Sequence, residues 1–110
     1  MLVTVPAAED GKQGVGRIIA DAIVTEGLAA CVNRMPLISS TYMWEGKLCR
    51  DSEELLVIKT ASRNLMALEK RVLELHPYEL PEFIAIEVEH GLPEYIAWIR
   101  GSRTDVPGGE

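Results

Sequence analysis

Residues 30–60 constrain this chain more than any other stretch. From Ala30 the side chains alternate with a period of two, the mark of a β-strand. Ile38, Ser40, Tyr42 and Trp44 fall on one face, and Ser39, Thr41 and Met43 on the other. Glu45-Gly46 supplies a two-residue turn. The chain then returns from Leu48 to Thr60, with Leu55, Leu56, Val57 and Ile58 as its apolar end. Each arm runs to about 13 residues, roughly 43 Å at about 3.3 Å per residue. Pro36 cannot donate to a sheet ladder and marks a bulge or bend.

The rest of the chain must fold around this hairpin. Leu2 to Val5 is a short apolar strand ending at Pro6, and residues 7–14 read as a loop. Val15, Ile18, Ile19, Ala22 and Ile23 recur at helical spacing, and Gly27 is a natural stop. Leu65, Leu68, Val72 and Leu75 step by three, four and three, an amphipathic helix with Ser62 as its expected N-cap. Pro77 and Pro81 then stiffen the segment 75–82 and push His76 and Leu80 out of helical geometry. Residues 83–89 read as another strand. Pro93 opens a last helix, with Leu92, Ile96 and Ile99 on its inner face. Residues 1–102 form one domain, and residues 103–110 a flexible C-terminal tail.

This order, βαββαβ plus a C-terminal helix, is the split βαβ arrangement of an α+β, ferredoxin-like sandwich. The first and fourth strands are about half as long as the hairpin arms. The hairpin therefore overhangs its own sheet and leaves backbone edges bare, a liability that proteins cover. The cheapest cover is a second copy of the same chain.

Composition narrows the function. The chain has 110 residues, 47% of them hydrophobic, so it builds a core and is not disordered. A net charge of −6 repels nucleic-acid phosphates and attracts cations. Cys31 and Cys49 make neither a disulfide framework nor a zinc-finger spacing, and they fit a reducing compartment. The opening residues lack the pattern of a signal peptide, and no stretch has the length of a membrane span. The expectation is a cytoplasmic protein with no nucleic-acid or membrane partner.

His76 is the leading metal-ligand candidate, with Glu79 and Glu82 beside it. A neutral imidazole suits copper, zinc or nickel, and the bland alternative is a hydrogen bond to backbone at the helix end. Cys31, after Ala29-Ala30, reads as a small buried hydrophobe. Cys49 lies between Lys47 and Arg50, the setting of a reactive thiol or of an ordinary interface thiol. Tyr42, Trp44, Tyr78 and Trp98 line a pocket or pack an interface. Lys59 meets an anion in a cleft or a simple carboxylate partner. Residues 11–16 hold several glycines before a helix but lack the ending of a phosphate loop. Glu53, Glu54, Glu87 and Glu89 read as solvated or salt-bridged. Neither a Ser-His-Asp nor a Cys-His arrangement can be drawn, so no catalytic activity is expected.

Several strings together resemble the CutA-type divalent-cation-tolerance proteins. They are Thr4-Val5-Pro6, Leu28-Ala29-Ala30-Cys31-Val32-Asn33, Tyr42-Met43-Trp44-Glu45-Gly46-Lys47, Ile58-Lys59-Thr60, His76-Pro77-Tyr78-Glu79-Leu80-Pro81-Glu82 and Tyr95-Ile96-Ala97-Trp98-Ile99. The resemblance implies a ferredoxin-like fold, a homotrimer built by edge-strand pairing, a cytoplasmic setting and a link to divalent ions, copper above all. It implies metal tolerance through binding or sensing. The alternative is a PII-like trimer that binds a small ligand or a protein partner, with metal incidental. Some bacterial members carry a Cys and a second His as copper ligands where this chain has Val3 and Leu75. The 7–14 loop is about five residues longer than the family pattern, a small chain-entropy cost of a few tenths of a kcal/mol, roughly.

Overall fold

A computed structural model describes residues 1–8 and 14–101. Most of the 7–14 loop, Gly11 with it, and the 103–110 tail lie outside the described residues. The elements are β1 (Leu2–Pro6), α1 (Val15–Thr25), β2 (Cys31–Trp44), β3 (Lys47–Lys59), a 3₁₀ turn (Ser62–Asn64), α2 (Leu65–Leu75) and α3 (Pro93–Ile99).

The sheet is antiparallel, in the order β1-β3-β2. Ile84 lies on the free side of β1, where it exchanges two backbone hydrogen bonds with Leu2 at 2.7 and 3.1 Å. That completes the ferredoxin-like order, but the fourth strand expected over residues 83–89 shrinks to this one bridge. The reason lies in the register. Beyond Ile84 the segment runs past Leu2, the first residue of β1, and on its other side Pro81 has no N–H to donate. Ile86 and Val88 are left exposed.

Alternation puts Val3, Val5, Leu56 and Ile58 on one face of the sheet. Ile19 and Ile23 of α1 and Leu68 and Val72 of α2 close over them, and all eight are essentially inaccessible to solvent. Burying each such side chain contributes about 1.5–3 kcal/mol. Arg71 of α2 clamps Glu26, just beyond α1, from 2.9 Å.

The helix ends follow their local chemistry. After α1, Gly27 takes a φ of 77°. The Gly27 and Leu28 N–H groups return to Val24 and Ile23, the paired bonds of a Schellman stop. Pro77 ends α2 as expected, with His76 extended at φ −83°, ψ 133°. Ser62 does not cap α2. It begins the 3₁₀ turn, and Asn64 takes the cap position without a side-chain bond. Pro93 opens α3, but Leu92 precedes the helix and is exposed instead of facing inward.

The hairpin is as long as expected. Between Met35 and Ile38 the register slips, with Leu37 at φ 61°, which is the bulge that Pro36 forecasts. Glu45 and Gly46 both take positive φ, as a tight hairpin turn requires. Pairing with β1 stops at Glu53. From there to Lys47 the hairpin projects about 20 Å beyond β1. Cys31 is half-buried and not in the core, because it starts β2 at the sheet edge; Cys49 is half-buried too.

Candidate functional site

The distinctive chemistry gathers where α2 ends beside β1. His76 is 8% exposed. Its Nδ1 accepts the Tyr78 backbone N–H at 3.1 Å, so Nε2 carries the proton and donates to the Thr4 carbonyl at 2.7 Å. The ring is thereby held as one neutral tautomer that ties the helix end to β1. Tyr78 leans against it, ring centroids 4.7 Å apart.

Tyr78 then reaches the middle of the hairpin, and its hydroxyl donates to Glu53 Oε2 at 2.9 Å. Two residues along β3, on the same face, Asp51 accepts a hydrogen bond from the Tyr42 hydroxyl. A row of two carboxylates thus carries two phenols. Glu53 is buried and bonded to a phenol, where the sequence reading has a solvated or salt-bridged carboxylate. Its neighbour Glu54 points to the opposite face and pairs with Arg34 at 3.4 Å.

The phenols answer to these carboxylates. The hydrogen bond to Asp51, with burial and nearby negative charge behind it, pushes Tyr42 up to about 12. Burial first, then the bond to Glu53, pushes Tyr78 higher still. Both phenols ordinarily ionise near 10.0. The folded protein therefore holds protons that the unfolded chain gives up, and stability falls as pH climbs from about 10 through 12 and beyond. A near-ultraviolet titration should show Tyr42 ionising near pH 12 and Tyr78 only as the fold opens. Tyr78→Phe should blunt the alkaline loss of stability. Ionisation of all three tyrosines in one step near pH 10 would refute these pairings.

The other candidate residues do not join this corner. Glu79 and Glu82 are exposed beside it. Cys49 faces the hairpin backbone, its Sγ 3.7 Å from the Lys47 carbonyl. Trp44 stands exposed at the hairpin tip. Lys59, at the far end of β3, bonds to Asn33, and Trp98 packs on Tyr95 within α3 at 5.6 Å. Asp51 and Glu53 are the members that sequence reading misses. The signal available for Glu53 is its place at the start of the apolar run of β3.

At the Lys59 end lies a groove of about 670 Å³, bounded by the end of β3, residues 85–88 and α3. Among the described residues no three His, Cys, Asp or Glu side chains converge to hold a metal ion. Nor do the residues at the expected copper positions fit that ion. Both nitrogens of His76 are engaged, Val3 lies in the closed core and Leu75 packs against it.

The fold and this corner define a small ferredoxin-like domain with an oversized hairpin. The family model for the CutA1 divalent ion tolerance protein matches residues 1–102, and the chain belongs to that family. The divalent-cation tolerance protein CutA of Thermus thermophilus is 44% identical over 100 residues, covering 91% of this chain and 92% of the relative. Its solved structure superposes with a TM-score of 0.84. CutA1 from Oryza sativa superposes at 0.83 with 43% identity, covering 96% of this chain and 92% of that one. An apo structure described as the PII-like protein CutA from Nostoc reaches 0.79 with 40% identity, covering 91% of each chain. The chain spans about half the length of the plant and mammalian relatives it matches.

Proposed function

We propose that the chain serves divalent-cation tolerance as a homotrimer that binds or senses cations and catalyses no reaction. The observation that carries this reading is the mismatch in strand length. β2 and β3 have 14 and 13 residues, and β1 has five. The outer edge of β2 and the overhang of β3 are unpaired among the described residues, as are residues 85–89. A ring of copies covers these edges at once.

The net charge of −6 draws cations to such an assembly. The described residues of one protomer hold no converged donor set, so a cation is held where carboxylates of neighbouring copies meet. Glu79 and Glu82, exposed in the segment after α2, are the candidates, and carboxylate oxygens suit hard divalent ions. His76 is structural in this reading, and copper has no special claim. The two free thiols fit a cytoplasmic setting.

Light scattering should report about three times the chain mass, and the assembly should resist salt, since backbone pairing does not depend on surface charge. Calorimetry with copper(II), zinc(II) and magnesium(II) should show cation binding that Glu79→Gln with Glu82→Gln weakens and His76→Gln spares. A stable monomer at micromolar concentration overturns the assembly, and no cation binding overturns the role.

A second reading has its own support. The groove has the size of a small-ligand pocket, about 300–1,000 Å³. The Nostoc relative is described as PII-like. Nucleotide binding in the same calorimeter, in the absence of any cation effect, would favour it.

A further inference from the structure

We infer that the groove at the Lys59 end takes a small zwitterion with an apolar body, the size of an apolar dipeptide, with its carboxylate on Arg100 and its ammonium on Glu87. This rests on the small-ligand reading of the groove and adds to it the chemistry of the ligand.

The groove combines apolar walls with two opposite charges. Leu2, Val57, Leu65, Ile86, Ile96 and Ile99 give it its apolar surface. Arg100, just beyond α3, and Glu87, on the 85–88 wall, line it as well. They do not pair with each other, and among the described residues neither has an ion-pair partner. Lys59, the other cation on the groove, is already bonded to Asn33.

The fold sets these walls in place. Arg63 donates to the Arg100 carbonyl and fixes the end of α3 beside the 3₁₀ turn. Ile96 stands against Gly91, where a Cβ would lie 2.8 Å from its Cδ1. The two backbone bonds between Ile84 and Leu2 hold the start of the opposite wall.

Charge then selects among ligands. A neutral apolar molecule would cover the guanidinium and the carboxylate without giving them partners, which is costly. A simple carboxylate answers Arg100 alone. A nucleotide brings several negative charges to Glu87 and to a chain of net charge −6. Among the described residues no aromatic side chain lines the groove to stack on a base. A zwitterion answers both charges, because a guanidinium takes a carboxylate through two parallel hydrogen bonds and Glu87 accepts from the ammonium. The volume of about 670 Å³ is ample for two apolar side chains. Arg100 and Glu87 do not reach each other, so a dipeptide, whose charges stand a residue apart, bridges them better than a single amino acid.

The test titrates the full chain with Leu-Phe in the calorimeter and follows the isoleucine methyl groups by NMR. Leu-Phe should bind and shift the methyls of Ile86, Ile96 and Ile99, leaving those of Ile19 and Ile23 in place. N-acetyl-Leu-Phe lacks the ammonium and Leu-Phe amide lacks the carboxylate, and each should bind several-fold more weakly. Glu87→Gln should bring Leu-Phe down to the level of its acetylated form. Arg100→Gln should bring it down to the level of the amide. Both residues are exposed, so neither change threatens the fold. Equal binding of the three peptides, or shifts that spare the groove, overturns the inference. ATP that shifts the groove methyls where Leu-Phe does not also overturns it, and leaves the small-ligand reading standing. If neither binds at millimolar concentration, both fall.

Discussion

His76→Ala should lower the folding stability of the chain by about 2–4 kcal/mol, and by the same amount with and without a chelator. The imidazole is buried and uses both nitrogens, one for the Tyr78 N–H and one for the Thr4 carbonyl. Alanine strands a donor and an acceptor together, each costing about 1–3 kcal/mol when it is cut off from water. The Tyr78 ring also loses its neighbour, which frees the hydroxyl that bonds Glu53. Asparagine and glutamine divide the effect. Asparagine places an acceptor near Nδ1, and glutamine extends a donor toward the Thr4 carbonyl, so each should restore part of the loss. Urea unfolding of the three variants measures this. If His76→Ala unfolds like the parent, or if its loss of stability vanishes in the presence of a chelator, the structural assignment of His76 fails.

The hairpin is legible in the sequence because its signals are local. A period of two, a proline at the bulge and a glycine at the turn each act on the residues beside them. The core faces of α1 and α2 are legible for the same reason, through their three-and-four spacing. The fourth strand is harder. Residues 83–89 have strand composition, but a strand needs a partner, and β1 offers one only as far as Leu2. Ser62 reads as a cap by residue type, yet the 3₁₀ turn moves the helix start to Leu65.

The corner is half legible. The His-Pro-Tyr string marks it, because two prolines around a histidine force an ordered exit from a helix. What the string does not reveal is where the side chains land. Tyr78 meets Glu53 across 25 positions of sequence, and Tyr42 meets Asp51 only because the hairpin register sets them near each other. A carboxylate beside a leucine run looks solvated or salt-bridged in one dimension. It becomes buried when a phenol from elsewhere covers it.

Gly16→Val should destabilise the chain by about 1–3 kcal/mol, and removing Glu54 should erase most of that cost. In an ordinary helix interior, replacing glycine gains stability, about 1 kcal/mol for alanine. Here the gain meets an obstacle. Gly16 is buried in the first turn of α1, and a Cβ placed on it would fall inside the Glu54 carboxylate and 3.2 Å from Val5 Cγ2. Glu54 cannot swing freely aside, because it is buried and paired with Arg34 at 3.4 Å. Valine forces it out, breaks that pair and presses on the core wall at Val5. Gly16→Ala meets the same carboxylate with less bulk, so its helix gain should be largely cancelled. In a Glu54→Ala background the space opens, and Gly16→Ala should become stabilising. The comparison is a double-mutant cycle in urea, with a coupling energy of about 1 kcal/mol or more between positions 16 and 54. A neutral Gly16→Val, or a cycle with no coupling, would show that Glu54 does not hold the glycine in place.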